Sequence, residues 1–341
     1  MKSDDLFVLN FESTIATDDC EKIAKVGPHL KCSEKAAHYL KDAGVTAVTL
    51  ANNHTMDYGE EGLVNTIDNL HSVGIQTVGA GKNPEEASRI LYLKQNGETV
   101  AIINCCEHEF SYAEAGKAGT NPLDPIRQYY SIQTARKAAD YVVVIVHGGH
   151  EYYNLPSPRM VQTYRYFIDA GADAVVNHHQ HCYSGYEYYN GKPIYYGLGN
   201  FNFDWPGNKL SYYTGYCVRL HLSSNITSEE LPYTQCLEEP VVKFCHPDDF
   251  SEDLQRLNEI IQNPEQLLIE TEKFFKTKGN DCKGVMTPFD NRYLNALVRR
   301  GYLPAMISEK KKLLWKAYVD CEAHRDVMLS YLKRNKQWRS V

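Results

Sequence analysis

The sequence predicts an α/β fold in which helices cover a largely parallel sheet, with a helical extension at the C-terminal end. Three observations carry this expectation. Over roughly the first 220 residues, short apolar β-branched runs alternate with helix-like segments, the pattern of strand–helix–strand units. Tyr141-Val142-Val143-Val144-Ile145-Val146 is apolar throughout, as a strand buried on both faces must be. After about Glu238 the strand signal stops and helical segments take over.

Each element follows from local chemistry. Leu6-Phe7-Val8-Leu9 is an apolar run that breaks at Asn10. Ser33 to Ala43 reads as a helix with Ser33 as its N-cap and Gly44 just past its end. Val45 to Leu50 is a β-branched strand. Gly59 to Val73 is a helix with Leu63, Ile67 and Leu70 on one face, stopped by Gly74. Ile75 to Val78 is a further strand, and Asn96-Gly97 joins two more as a hairpin. A helix from about Arg159 to Ala170 ends at Gly171 and is followed by the strand Ala174-Val175-Val176.

The division expected from this texture is an α/β domain over residues 1–238 and a helical extension over 239–341. The extension holds helices near 251–277, 288–299 and 305–336. The last carries Leu314, Tyr318, Cys321, Met328 and Leu332 at mostly helical spacing. Such a stripe is a docking face, which makes these helices a candidate surface for homo-oligomer formation.

Composition removes several classes of function. The chain has 341 residues, 43% hydrophobic and 23% charged, ordinary values for a globular protein. A net charge of −7 and a pI near 6.0 lack the basic footprint of a nucleic-acid binder. The 10 cysteines include no CxxC pair, and they read as reduced core residues of a reducing compartment. No window approaches the roughly 18 apolar residues of a membrane span, and Met1-Lys2-Ser3-Asp4-Asp5 leads into no signal-peptide core. As written, the sequence predicts a cytoplasmic protein; membrane association is expected instead if the chain is a piece of a longer one.

Chemistry collects at the strand ends. Glu12 follows the first strand, and Asn52-Asn53-His54 follows Val45–Leu50. Glu107-His108-Glu109 follows the strand at Val100–Ile103. His147 ends the Tyr141–Val146 run, with His150 and Glu151 just beyond. His178-His179-Gln180-His181 follows Ala174–Val176, and Asn200 follows the strand at Ile194–Tyr196. Ligands of parallel sheets bind beyond the carboxyl ends of the strands, so these residues are expected to converge. On an extended segment His179 and His181 would face one cavity together. Imidazole, carboxylate and amide oxygen together suit a mixed N/O site for manganese, zinc or iron.

At these residues the chain resembles the CapA family of poly-γ-glutamate capsule proteins, whose domain is similar to the calcineurin-like metallophosphoesterases. The matching stretches are Asn10-Phe11-Glu12-Ser13, Ala51 to Gly59, Gly79-Ala80-Gly81-Lys82-Asn83, His147 to Tyr152, His178 to His181 and Tyr196 to Phe201. The resemblance implies a layered metallophosphoesterase-like α/β sandwich. It also implies metal ligation by Glu12, Asn53, His147, His179 and His181, with His54 assisting catalysis. His150, Glu151 and Asn200 are candidates for orienting the ligands.

The family pattern opens with an earlier strand ending in Gly-Asp, and this sequence is expected to lack it. One metal position then keeps Glu12, Asn53, His147 and His179. The other keeps only Glu12 and His181 and should be weak or empty. Asn177 stands where the pattern has glycine. Three functions are compatible with the resemblance: a phosphoester hydrolase, a non-catalytic or transport-accessory module for an anionic polymer, and a metal-assisted γ-glutamyl amidase.

Overall fold

A computed structural model of the protein describes residues 5–25, 27–203, 213–236, 239, 241–246, 248–285, 291–304, 308, 310–312, 315 and 319, without the side chains of 248–252 and 279–285. The chain divides into two compact units, Met1–Thr271 and Glu272–Val341.

The N-terminal part runs β1 (Val8–Asn10), β2 (Thr14–Ile15), β3 (Lys31–Cys32), α1 (Lys35–Asp42), β4 (Ala47–Thr49), α2 (Gly59–Ser72) and β5 (Gln76–Val78). Strands β1, β4 and β5 form a parallel three-stranded sheet with β4 in the middle. The expected cap of α1 is displaced. Glu34 is already helical (φ −54°, ψ −26°) and takes the N-cap position without a side-chain bond. Ser33 contributes only its carbonyl, to Ala36 N at 3.0 Å.

Next come β6 (Ala80–Gly81), α3 (Pro84–Ala87), β7 (Leu91–Gln95), β8 (Glu98–Cys106), β9 (Gly119–Thr120), α4 (Pro125–Arg136), β10 (Tyr141–His147), α5 (Pro158–Asp169), β11 (Ala174–His178), β12 (Tyr186–Tyr189) and β13 (Lys192–Tyr195). A six-stranded sheet forms in the order β12-β13-β11-β10-β8-β7. Its inner four strands are parallel, and its edge strands are antiparallel because each is one arm of a hairpin. Both hairpins turn on Asn-Gly pairs with positive φ: Asn96 and Gly97 at 52° and 87°, Asn190 and Gly191 at 50° and 75°. This is the conformation a two-residue type I′ turn demands.

Side-chain alternation makes the layers. Ala101, Ile103 and Cys105 of β8, with Val142, Val144 and Val146 of β10, face a cluster containing Ile132 of α4 and Met160, Tyr164 and Phe167 of α5. Val100, Ile102, Val143 and Ile145 point the other way and pack with Ala47, Val78 and Leu93. The far face of the small sheet is closed by Ala37 and Leu70 against Val48 and Leu50. The result is a layered α/β sandwich with helices on its outer faces. Removing one of these fully buried aromatics, Phe167 for example, would cost about 3–5 kcal/mol.

Beyond this lies an antiparallel sheet that the sequence reading did not anticipate: β14 (Thr214–His221), β15 (Thr227–Gln235) and β16 (Val242–Phe244). The helices expected near 251–277 and 288–299 are present as α6 (Asp248–Gln262), α7 (Pro264–Val285) and α8 (Arg292–Arg299). The first unit extends past the 238/239 boundary read from the sequence, because Leu257, Ile261 and Leu267 bury in the same cluster as α5. The stripe from Leu314 to Leu332 lies outside the described residues. Among the described residues, no helix is long and apolar enough to cross a membrane.

Candidate metal centre

Two buried asparagines brace the ends of the parallel strands, Asn104 between the two sheets and Asn52 between two loops of the three-stranded one. Asn104 of β8 accepts from Ala51 N at 2.7 Å and donates to Ile145 O at 3.0 Å, joining the end of β4 to β10. Its Oδ1 occupies the space beside Gly79, where a Cβ would stand 1.9 Å away, and Gly79 has φ +95°. That position therefore requires glycine twice over. Asn52 donates to Phe11 O at 3.0 Å and accepts from His54 N and Thr55 Oγ1, each at 3.0 Å. The loop carrying Asn53 is thereby fixed against the one carrying Glu12.

Four donor atoms meet there. His147 Nε2 lies 3.1 Å from Asn53 Oδ1, 3.1 Å from His179 Nδ1 and 3.7 Å from Glu12 Oε1. One donor atom from each of Glu12, His147 and His179 falls within 4.8 Å of the other two. Hydrogen bonding alone does not account for this. A neutral ring nitrogen either donates one proton or accepts one, so His147 Nε2 satisfies one of its two close neighbours and not both. Donors at about 2.1 Å from a common ion stand about 3 Å apart, which matches the observed contacts.

Two buried atoms also lack hydrogen-bond partners. Asn10 Nδ2 serves Glu12 Oε2 at 3.2 Å, whereas Glu12 Oε1 and His147 Nδ1 are orphaned. Burial raises the Glu12 carboxyl above its ordinary range, against the pull of His181 and His54. Burial pushes His147 well below the ordinary imidazole value and His179 down to about 4, so both rings carry lone pairs at neutral pH. Neutral imidazoles beside a carboxylate oxygen and an amide oxygen fit a divalent cation.

The two histidines beyond β11 do not sit on an extended segment as expected. The strand ends at His178, and His179 (φ +108°) and His181 (φ +57°) are both left-handed. Non-glycine residues adopt this conformation at a cost of about 1–3 kcal/mol each, which the surroundings must over-determine. Asn177 does so. Its buried amide donates toward Gly148 O, Gln180 Oε1 and Tyr196 O at 2.9–3.0 Å, and its Oδ1 accepts from Tyr164 OH at 2.8 Å. A glycine, which the resemblance leads one to expect there, could make none of these bonds.

His181 is held on three sides. Asn200 Oδ1 lies 2.9 Å from its Nδ1, and the rings of Tyr152 and Phe203 pack against it at centroid distances of 5.7 Å and 5.4 Å. Its Nε2 reaches Glu12 Oε1 only at 3.9 Å, outside the tighter cluster.

His54 is buried beside Asn53 and is held by a charge array that the sequence reading missed. Asp57 Oδ2 lies 2.7 Å from His54 Nδ1 and accepts from Leu30 N at 2.6 Å. Lys25, with a side chain only 2% exposed, pairs with Asp57 and lies 3.2 Å from His54 Nδ1. Burial alone would raise the Asp57 carboxyl, but bonds from His54, Lys25 and Leu30 hold it below the usual range. Nothing in the spacing of Lys25 signals this, since it sits in an irregular loop 32 residues before its partner Asp57.

The remaining sequence candidates sit around this core. Glu109 Oε1 lies 3.4 Å from His179 Nε2, and Glu107 pairs with Arg159 at 2.5 Å. Glu151 is exposed and acts through its charge, adding to the rise that burial gives Glu12 and opposing the fall that burial gives His179. His150 is half-buried on the same loop. Tyr195 and Tyr196 are fully buried packing residues.

Residues 1–205 match the family described as "Bacterial capsule synthesis protein PGA_cap". The PGA biosynthesis protein CapA of Bacillus subtilis is 37% identical over 231 residues, 66% of this chain and 60% of that protein. The capsule biosynthesis protein CapA of Bacillus anthracis is 35% identical over 238 residues, 67% of this chain and 57% of that protein. The chain thus spans about 60% of the length of these curated relatives. Among solved structures, a putative 5'-nucleotidase from Staphylococcus aureus overlaps loosely, with a TM-score of 0.39 and 17% identity, covering 67% of this chain and 47% of that one.

Proposed function

The chain belongs to the bacterial capsule synthesis (PGA_cap) family, and on that premise we propose that its strand-end cluster is a divalent-metal site with hydrolytic chemistry of the phosphoesterase type, serving capsule or poly-γ-glutamate synthesis. The observation that carries this reading is the meeting of Glu12, Asn53, His147 and His179 donor atoms around His147 Nε2. These four residues would hold one manganese, zinc or iron ion. A second ion between Glu12 and His181 would be weak, because His181 Nε2 stands 3.9 Å from Glu12 Oε1 and, among the described residues, no further His, Cys or carboxylate joins that pair in a metal-holding group. When bound, such an ion supplies Lewis acidity toward a phosphoryl or carbonyl oxygen and lowers the pKa of water.

His54 supplies the acid–base group. Its Nδ1–H is held by Asp57, which leaves Nε2 to exchange a proton with a leaving group. Lys25 balances the Asp57 charge behind it. A buried Lys25–Asp57 ion pair behind a histidine is costly to assemble, which favours a working role for His54 over simple polymer binding. The carboxylates of Glu107, Glu109 and Glu151 near the cluster also disfavour a bare polyanion as the resting ligand.

The test is to load the purified protein with Mn²⁺ or Zn²⁺ and offer phosphomonoesters, phosphodiesters and γ-glutamyl polymer. His54→Ala should lower turnover by about 10²-fold or more while metal stays bound. His179→Ala should lose metal and turnover together. Turnover unchanged in both variants would remove the site from the reaction. Binding of the polymer without turnover under any metal would favour the accessory role instead.

A further inference from the structure

The two histidines of the turn after β11 are approached by carbonyl-type oxygens at opposite ring atoms. On His181 the outer contact is Asn200 Oδ1 at Nδ1, 2.9 Å away, and Nε2 faces Glu12. On His179 the order is reversed. Nδ1 faces His147 Nε2 at 3.1 Å, and Nε2 faces Glu109 Oε1 at 3.4 Å, slightly longer than an ordinary N–H···O bond. Both Glu109 and the end of β10 are anchored through one segment, since Glu107 N donates to His147 O and Glu109 N to Glu107 O, each at 3.0 Å.

A neutral imidazole carries a single N–H, and its other nitrogen presents a lone pair. With the proton on Nε2, His179 points a donor at the Glu109 carboxylate and a lone pair at the cluster. With the proton on Nδ1, it points a lone pair at the carboxylate and an N–H at the cluster, which blocks ligation. The ring cannot avoid the choice by turning away, because it is enclosed at 7% exposure. We infer that Glu109 is a positioning residue that places the proton of His179 on Nε2, so that His179 meets a metal through Nδ1 while its neighbour His181, governed by Asn200, presents Nε2. This rests on reading the cluster as a metal centre.

Two readouts test it, one of them without metal. The first is the ¹⁵N chemical-shift pattern of the His179 ring in the metal-free protein. Wild type should show the Nε2–H form; Glu109→Ala should shift toward Nδ1–H, and Glu109→Gln, which keeps an acceptor oxygen, should stay with wild type. The second is affinity for Zn²⁺ or Mn²⁺ by chelator competition. Glu109→Ala should weaken it by about 10–100-fold, whereas Glu109→Gln should remain within a few-fold of wild type. An unchanged tautomer in Glu109→Ala would overturn the inference. So would equal losses in Glu109→Gln and Glu109→Ala, because charge rather than proton placement would then be the cause. Failure of wild type to bind any divalent ion would strike at the metal-centre reading, and the ring shifts would still judge Glu109 by themselves.

Discussion

His147 Nε2 stands 3.1 Å from Asn53 Oδ1, across 94 positions of sequence and from one sheet to the other. The contact is made between two atoms that both favour a cation over each other's company once His179 Nδ1 is added at the same distance. Divalent metal should therefore stabilise the folded protein. At 100-fold excess over Kd the gain is about 2.7 kcal/mol, a rise of several degrees in Tm. Thermal melts with and without Mn²⁺ or Zn²⁺ should show it in wild type and lose it in Asn53→Ala and His147→Ala. Metal analysis should return one tightly held ion per chain.

Gly79→Ala should destabilise the protein by about 3 kcal/mol or more, measured by urea unfolding. The added Cβ meets Asn104 Oδ1 at 1.9 Å and a backbone at φ +95°. Combining it with Asn104→Ala should recover part of the steric loss but none of the backbone strain.

Asn177→Ala removes the bonds to Gly148, Gln180, Tyr196 and Tyr164 in one step. Each buried group left without a partner costs about 1–3 kcal/mol, so a total loss near 3 kcal/mol or more is expected in the same measurement. The left-handed turn at His179 and His181 should relax with it, and metal affinity should fall even where the variant remains folded.

Lys25→Met leaves Asp57 buried with one fewer cationic partner and should cost about 3–5 kcal/mol. The double change Lys25→Met with Asp57→Asn should cost less than the sum of the two single changes. A double-mutant cycle in urea reads that coupling directly; additive losses would show the pair to be unlinked.

Acid should weaken the metal-free protein from about pH 6.5 downward. Burial holds His147 and His179 below the ordinary imidazole value of 6.5, His179 to about 4. As pH falls through that window the unfolded chain takes up protons that the folded chain refuses, so stability drops by up to about 3 kcal/mol for His179 alone. Glu12, raised above 4.5, acts in the opposite sense, because the folded form binds its proton first. Three imidazoles, since burial also lowers His178 to about 4, together with the lowered Asp57 carboxyl outweigh Glu12 and set the net direction. Unfolding midpoints at pH 7, 5.5 and 4.5 should fall in that order, with a shallower slope in His179→Gln.

Much of the architecture was legible because it rests on local signals. The apolar run at Tyr141–Val146, the helix ending at Gly74 and the Asn96-Gly97 turn each fix an element by side-chain pattern alone. The strand-end placement of Glu12, Asn53, His147 and His179 followed from the same reading. What escaped it depends on three-dimensional partners. Lys25 is an unremarkable lysine until Asp57 is folded against it. The turn at His179 and His181 could not be told from a strand, since left-handed non-glycine residues are imposed by neighbours such as Asn177. The Asn190-Gly191 hairpin carries the same Asn-Gly marker as Asn96-Gly97, whereas the β14–β16 sheet has no such marker.

The donors at Glu12 and Asn53 hang from the three-stranded sheet, and those at His147 and His179 from the six-stranded one. An ion held among them would be a clasp across the seam between two separately paired sheets. Parting the sheets would require breaking that clasp first, so its strength would bear on how long the native fold lasts. Chelation should then shorten the folded lifetime more than it changes the speed of refolding.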